Sequence, residues 1–245
     1  MASFDLNLHR VAVFIAATLV MGGVPADVTL SVGTIIQSYA DIEDARYVVE
    51  SFAYGVELGD SIDPHMYGEV PNYVPEEYFE RMDTEIEQEV NAQRYVQIER
   101  DAVIGIAAVG IVDKVKSGGM RKVRIVHNLS RPIEGSVNYY TEIEHRKFAT
   151  IKQACEMMQP KGMMAKIDLS KAYRSLPTAP RYWRIHVLQW RDIVYADLRV
   201  PFGNRAAPGV FDRLITQFVV RIARTRGISD ILGYIDDFWV HMKPK

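Results

Sequence analysis

The sequence predicts an α+β protein in which antiparallel strand hairpins pack against amphipathic helices. One hairpin is predicted over residues 231–240, where bulky apolar residues flank two adjacent acids. A second is predicted where Gly118-Gly119 forms a turn between two apolar stretches. Helices are predicted to start at Pro75 and Pro208, because apolar residues recur there at helical spacing and proline favours the first helical position.

The first 40 residues form an N-terminal segment of unknown role. The apolar run over residues 11–24 is shorter than a membrane span and suits either a signal-peptide core or a buried helix. A single cysteine, Cys155, excludes an internal disulfide and fits a reducing compartment. An intracellular protein, cytoplasmic or nuclear and without a membrane partner, is therefore expected.

The charge is divided unevenly along the chain. Residues 1–110 hold 5 Lys and Arg against 19 Asp and Glu, whereas residues 111–245 hold 24 against 12. The overall net charge of −2 hides this asymmetry. The C-terminal part is expected to face a polyanion, and the N-terminal part to be kept away from it or to shield it.

Residues 41–100 are predicted to be an acidic helical lead-in. The helix from Pro75 has an apolar residue every four positions, and glutamates fill its other faces. It is interpreted as a solvated packing helix rather than an acidic binding surface. The apolar positions are Tyr78, Met82, Ile86 and Val90.

Residues 101–245 are predicted to be the main domain. It contains a buried strand over residues 102–112, a short helix over residues 150–158 and a strand over residues 163–169. The helix from Pro208 is expected to end at Gly227. Its outer face carries Arg213, Arg221, Arg224 and Arg226.

The adjacent acids Asp236 and Asp237 lie at the tip of the predicted hairpin. Folding gains nothing from two like charges side by side. A solvated turn is the simpler interpretation. A divalent cation such as Mg²⁺ would instead use their oxygens and keep its other positions for water and substrate phosphate.

Asp168 follows a predicted strand and also has two interpretations. At the end of a buried strand an unpaired charge is costly, which favours a functional role. Alternatively, Asp168 caps a helix over residues 169–173.

Two further stretches suit the binding of a ligand. In residues 200–211, the small residues Gly203, Ala206 and Ala207 leave room for a ligand or another part of the chain to approach the backbone closely. A helix begins just after them, and its N-terminus points back at this place. Basic residues surround the Gly118-Gly119 turn, where they suit either a triphosphate or solvent. These are Lys116, Arg121, Lys122 and Arg124.

Taken in order, these stretches resemble the fingers and palm of a reverse transcriptase. Residues 234–237 resemble the family's Tyr-x-Asp-Asp box, and residues 168–173 its first palm motif, an Asp followed five residues later by an aromatic. Residues 201–211 are similar to the Pro-Phe-Gly motif of retroelement enzymes, with Ala206 in place of the usual Ser. Residues 124–138 resemble a fingers strand, and their sequence is most similar to that of the DIRS-like tyrosine-recombinase retrotransposons.

The resemblance covers residues 114–241 well and residues 45–245 loosely. It implies a right-hand polymerase fold with an antiparallel palm sheet packed on helices. Because the sequence stops soon after the hairpin, the last palm motifs, the thumb and any RNase H domain are expected to be absent.

The resemblance also implies a chemistry, template-directed DNA synthesis by two-metal phosphoryl transfer. Asp168 and Asp236 would hold two Mg²⁺ ions, with Mn²⁺ as a substitute, helped by the Leu169 carbonyl and by Asp237. For the incoming dNTP, Lys116 and Arg124 would bind the phosphates. Tyr173 would exclude the ribose 2′-hydroxyl, and Phe202 with Gly203 would form a wall.

The implied partners are an RNA or DNA template with its primer, dNTPs and a further chain that supplies a thumb. Two alternatives are a non-catalytic or domesticated nucleic-acid-binding remnant and an RNA-templated RNA polymerase. The bulky Tyr173 argues against the second.

Overall fold

The computed structural model of the chain describes residues 42–59, 70–115, 121–143, 145–169 and 171–243. The predictions for residues 1–40 and for the Gly118-Gly119 turn lie outside these residues. Within them, no helix combines the length and the apolar character needed to cross a bilayer.

The chain forms two compact units, each assembled from stretches that are distant in sequence. Described residues within Met1–Gly55, His145–Ala172 and Pro208–Lys245 make up the first unit. Those within Val56–Glu144 and Tyr173–Ala207 make up the second.

The first unit is built around a three-stranded antiparallel sheet. Its strands are β4 (Met163–Asp168), β7 (Ile231–Tyr234) and β8 (Asp237–Met242), in the order β4-β8-β7. The strand that ends at Asp168 is therefore confirmed, but it is not buried as predicted, because every residue of β4 is exposed. The reason is that the core cluster of this unit gathers residues of the long helix, β7 and β8, and none of β4.

Helices accompany this sheet. Helix α1 is Ile42–Tyr54, and the predicted short helix forms as Ile151–Met157, with Thr150 and Gln153 in a reciprocal capping box. The predicted helix from Pro208 forms as three continuous pieces, named here the long helix: Ala207–Phe211, a π-helical turn Asp212–Thr216, and Gln217–Thr225. Val220 of the long helix packs in the core with Ile231 and Phe238.

The second unit contains two further antiparallel sheets. Strands β2 (Ala108–Val115) and β3 (Arg121–Asn128) pair as the predicted hairpin. Strands β1 (Tyr95–Gln97), β5 (Val187–Trp190) and β6 (Ile193–Asp197), for which no element is predicted above, pair in the order β1-β6-β5.

The predicted acidic helix lies in the second unit as Phe79–Asn91, after a 3₁₀ turn Glu76–Tyr78. Met82 and Ile86 are buried as predicted, and they form the main core of the unit with residues of β1, β2, β3 and β5. Val90 is exposed. The other short 3₁₀ turns of the unit are Arg100–Ala102, Tyr173–Ser175 and Pro180–Arg184, and a helical turn spans Val137–Tyr140.

Candidate active site

The Asp236-Asp237 pair lies at the tip of the hairpin between β7 and β8. Tyr234 and Asp237 are the last paired residues, and Ile235 with Asp236 forms the turn. Ile235 has a φ of 54°. A β-branched residue is unusual in this left-handed region because its Cβ crowds the backbone carbonyl. The turn is therefore strained and must be held by its surroundings.

Asp168 faces this turn across the sheet. Asp168 and Asp237 are direct partners in the antiparallel pairing of β4 with β8. The backbone N–H of Leu169 donates to the Asp236 carbonyl oxygen at 2.9 Å. The four residues predicted to bind metal therefore lie together at one edge of the first unit. No α-helix forms over the described part of residues 169–173, so the capping alternative for Asp168 is wrong.

Carboxylates and an ammonium group meet at this edge. The Lys166 ammonium lies 3.0 Å from Asp237 Oδ1, and this ion pair raises the pKa of Lys166. Asp168 is exposed, while Asp236 and Asp237 are half-buried. The carboxylates of Asp168, Asp236 and Asp237 thus share this edge with the Lys166 ammonium.

The carboxylate and carbonyl oxygens at this edge are ligands of the kind that magnesium binds, although they do not form a closed cage. Among the described residues, no three or more His, Cys, Asp or Glu side chains form a group ready to hold a metal ion. Magnesium needs only one or two protein carboxylates because it keeps several waters. Lys166 places a positive charge beside Asp237, as a bound cation would also do.

Of the residues predicted to bind dNTP, those that the structure describes lie in the second unit. The rings of Tyr173 and Phe202 lie 5.6 Å apart between centroids at an interplanar angle of 56°. The Arg124 guanidinium lies over the Phe202 ring, 5.6 Å from its centroid. Lys116 lies outside the described residues, as do the side chains of Arg121 and Lys122.

Gly203 is required by the fold itself. It has a φ of +113°, and a Cβ added there would lie 2.0 Å from the His127 carbonyl oxygen. The His127 N–H donates to the Phe202 carbonyl at 3.0 Å, and Asn138 Nδ2 donates to the Gly203 carbonyl at 2.7 Å. The close approach predicted at Gly203 is thus made by the chain's own β3. Ala206 and Ala207 are buried.

Arg174, next to Tyr173 in sequence, is buried in an ionic network. Its Nη1 donates to Asp197 Oδ2 at 2.5 Å, and its Nη2 donates to Glu89 Oε2 at 2.7 Å. Arg94 donates to both oxygens of Glu89, each at 2.7 Å. Burial opposes ionisation of Glu89, but these arginines outweigh it and lower its pKa to about 2. Glu89 is therefore an exception among the glutamates of this helix, because it is held in a buried ionic network and not in solvent.

Two histidines border this network and are held neutral. Burial, reinforced by the charge of Arg174, lowers the pKa of His127 and of His186 to about 3. His127 Nε2 lies 3.1 Å from the Tyr95 hydroxyl and 3.5 Å from Asp197 Oδ2. Burial also raises the pKa of Asp197 to about 6, against the opposing effect of Arg174. Through His127 this buried network reaches the backbone that supports Phe202 and Gly203.

The arginines predicted on the outer face of the long helix differ in their surroundings. Arg213 pairs with Asp44 at 2.7 Å, and its guanidinium lies 3.9 Å from the centroid of the Tyr47 ring. Arg224 and Arg226 are exposed.

Three residues of structural importance escape prediction from the sequence. Lys166 precedes Asp168 by two positions, and this spacing on a strand places both side chains on one face. Thr216 donates its hydroxyl to the Ile235 carbonyl at 2.6 Å. Neither Thr216 nor Arg174 carries a sequence signal, because their partners are distant along the chain.

Comparison with known proteins shows similarity at the level of structure. No protein-family model and no curated protein matches the sequence. The foamy viral protease-reverse transcriptase dRH in complex with double-stranded DNA matches with a TM-score of 0.59 and 16% identity, over 87% of this chain and 38% of that chain. The foamy viral protease-reverse transcriptase in complex with double-stranded DNA matches with a TM-score of 0.57 and 17% identity, over 84% and 43%.

Native prototype foamy virus protease-reverse transcriptase also matches, with a TM-score of 0.54 and 16% identity over 71% of this chain and 21% of that chain. The chain spans less than half the length of these proteins. At such low identity the likeness shows the fold alone. The chain has a reverse-transcriptase-like fold of helices and antiparallel sheets.

Proposed function

We propose that the chain is the fingers and palm part of a retroelement reverse transcriptase, which extends a primer by template-directed nucleotidyl transfer. The observation that carries the proposal is the pairing of Asp168 with Asp237 beside the Asp236 turn. Carboxylates from two separate strands converge there, in a chain whose fold is reverse-transcriptase-like. Folding alone does not favour such a concentration of negative charge.

Asp168, Asp236 and the Leu169 carbonyl are the proposed ligands of two Mg²⁺ or Mn²⁺ ions, with Asp237 as a neighbouring charge. When bound, the ions would lower the pKa of the primer 3′-hydroxyl and stabilise the pyrophosphate that leaves. Lys166 would leave Asp237 or stay as a countercharge. The chain's own part is to hold the carboxylates at a fixed spacing on the sheet edge.

The second unit is proposed to hold the nucleotide. Arg124, exposed and seated over Phe202, would bind its phosphates together with Lys116. The Tyr173 ring would fill the space that a ribose 2′-hydroxyl needs. Phe202 and Gly203 would form a wall against the base. The contact between the Tyr173 and Phe202 rings supports a joint role.

The proposed partners are a primer with an RNA or DNA template, and a further segment or chain that supplies a thumb. The structural relatives in complex with double-stranded DNA support duplex binding. Sequence would be read by base pairing, while the protein holds the backbone. The sequence of the motif in residues 124–138 supports a DIRS-like retrotransposon as the source. The proposed site of action is intracellular, in the cytoplasm or the nucleus.

Primer extension tests this proposal. The chain should extend a primer on RNA and DNA templates with dNTPs and Mg²⁺, and extension should fail with Asp236→Asn. Asp192→Asn is the matched control, because Asp192 is an exposed aspartate in the turn between β5 and β6. Extension by Asp236→Asn at the wild-type rate would refute the two-metal assignment. Preferential use of rNTPs would indicate an RNA polymerase instead.

A second candidate function is nucleic-acid binding without catalysis. It is favoured by the Lys166 ammonium, which already pairs with Asp237, and by the lack of a ready metal cage among the described residues. Calorimetry with Mn²⁺ separates the two functions. A catalytic chain should bind Mn²⁺ at a site that Asp168→Asn weakens, whereas a binding remnant should hold duplex and take up no Mn²⁺ there.

A further inference from the structure

The acidic turn is held through the carbonyl groups of both its residues. The Ile235 carbonyl oxygen accepts the Thr216 hydroxyl at 2.6 Å, and the Asp236 carbonyl oxygen accepts the Leu169 N–H at 2.9 Å. These bonds come from different elements of the first unit. They fix the peptide plane between Ile235 and Asp236 and the peptide plane between Asp236 and Asp237. The directions in which both carboxylates leave the backbone are thereby fixed as well.

The strain at Ile235 makes such support necessary. Its φ of 54° is disfavoured for a β-branched residue, so the isolated turn would relax toward another conformation. The bond from Leu169 holds the Asp236 side of the turn. The bond from Thr216 is the contact that holds the carbonyl of the strained residue itself.

The position of Thr216 explains how it reaches the turn. Thr216 is fully buried and is the last residue of the π-helical turn in the long helix. A π-helical turn takes in an extra residue and so redirects the side chains around it. The Thr216 methyl group lies against β7, since a Cβ added to Gly233 would be 2.4 Å from Thr216 Cγ2. One side of Thr216 therefore packs on the strand while its hydroxyl binds the turn.

We propose that Thr216 is a positioning residue for the carboxylates, acting through its hydroxyl on the Ile235 carbonyl. This inference deepens the proposed function and rests on it for the catalytic consequence. It assigns to the π-helical turn the role of delivering a buried donor to the strained turn. The effect on turn geometry holds whether or not the chain polymerises DNA.

Two substitutions separate the hydroxyl from the methyl group. Thr216→Val keeps the shape and removes the donor, while Thr216→Ser keeps the donor and removes the methyl group. Thr225→Val is the matched control, because the Thr225 hydroxyl also binds a backbone carbonyl, that of Ile222 at 2.8 Å, within the same helix.

The first readout is independent of activity. Amide hydrogen exchange in the metal-free protein should be faster over residues 234–237 in Thr216→Val than in wild type. Thr216→Ser and Thr225→Val should exchange there like wild type. Unchanged exchange in Thr216→Val, or equal acceleration in Thr216→Ser, would overturn the role of the hydroxyl.

The second readout is the kinetics of primer extension. Misplaced carboxylates should lower kcat of Thr216→Val by up to about 100-fold and leave the KM for dNTP within about threefold, because nucleotide binding is assigned elsewhere. The Mg²⁺ concentration for half activation should rise. Thr216→Ser should keep kcat within about threefold of wild type. A wild-type kcat in Thr216→Val would refute the catalytic consequence. If the wild-type chain itself extended no primer, the proposed function would be refuted. The hydrogen-exchange result would still decide whether Thr216 positions the turn.

Discussion

Asp168 and Asp237 stand directly opposite each other on neighbouring strands, so that two carboxylates meet at the same edge of one sheet. Opposed like charges destabilise a sheet, and the Lys166 ammonium pairs with one of them, Asp237. The arrangement therefore costs stability in the metal-free chain, and this cost gives the site a measurable signature.

We expect Asp168→Asn to remove activity and to preserve stability. Loss of a proposed metal ligand should lower primer extension by at least about 100-fold. Relief of repulsion should raise the free energy of unfolding of the metal-free chain by about 0.2–1 kcal/mol. Urea denaturation and primer extension measure the two effects, with Asp192→Asn as control. A marked loss of stability would show that Asp168 is structural.

Tyr173→Ala should allow the chain to incorporate ribonucleotides. Truncation of the ring leaves room for one hydroxyl group, so rNTP use should rise relative to dNTP use. Tyr173→Phe keeps the ring beside Phe202 and should keep the wild-type preference. Competition between dNTPs and rNTPs in primer extension measures the ratio. An unchanged ratio in Tyr173→Ala would mean that Tyr173 only packs.

Gly203→Ala should destabilise the chain far more than Gly227→Ala. Both glycines have positive φ, but a Cβ at Gly203 meets a backbone carbonyl while a Cβ at Gly227 meets nothing within 4 Å. We expect losses of about 3 kcal/mol or more at Gly203 and about 1 kcal/mol at Gly227. Urea denaturation of the two variants provides the comparison. Equal losses would show that backbone conformation alone sets the effect.

Stability should fall as the pH drops from 7 to 5. The pKa of His127 and of His186 is about 3 in the folded chain and near 6.5 when unfolded, so the unfolded chain binds more protons in this range. The raised pKa of Asp197, about 6, works in the opposite direction because the folded chain then takes up a proton. The net loss should be about 2–3 kcal/mol.

Denaturant titrations at the two pH values measure this loss, and His186→Gln should reduce it by about 2 kcal/mol. This variant replaces a titrating group and keeps a polar side chain of similar reach toward Asn204. A loss of the same size in His186→Gln would contradict the assignment of this pH dependence to His186.

Duplex binding should depend steeply on salt, with a Kd of about 10⁻⁴ to 10⁻⁶ M at physiological salt. Arg224 and Arg226 are exposed, so the double alanine variant should weaken binding and reduce the salt slope by about 2. Arg213→Ala should instead lower stability and keep the slope, because Arg213 is held by Asp44 and Tyr47. Fluorescence anisotropy across a potassium chloride series distinguishes these outcomes.

The local elements were predictable from the sequence because their signals are local. Adjacent acids between β-favouring residues indicate a hairpin turn, and the turn forms at Ile235-Asp236. The apolar spacing that follows Pro208 indicates a helix, and Gly227, with its positive φ, follows the last helical residues.

The non-local features were not predictable in the same way. The exposure of β4 depends on which elements pack into the core, and the long helix, β7 and β8 that form it lie far along the chain. Charged residues are expected at the surface, so nothing marks Arg174 for burial before Asp197 and Glu89 are known to surround it. The hydrogen bond from Thr216 likewise depends on a π-helical turn that apolar spacing does not reveal.

The interleaving of the two units constrains the order in which the chain can fold during synthesis. Strand β4 emerges from the ribosome first. Tyr173–Ala207, which belongs to the second unit, and then the long helix follow before β8, the partner of β4 in the sheet, is made. The first unit therefore cannot close its sheet during translation until its last strand has been made. No single cut in the chain releases either unit intact, so a dissection of this protein would need circular permutation or co-expressed fragments.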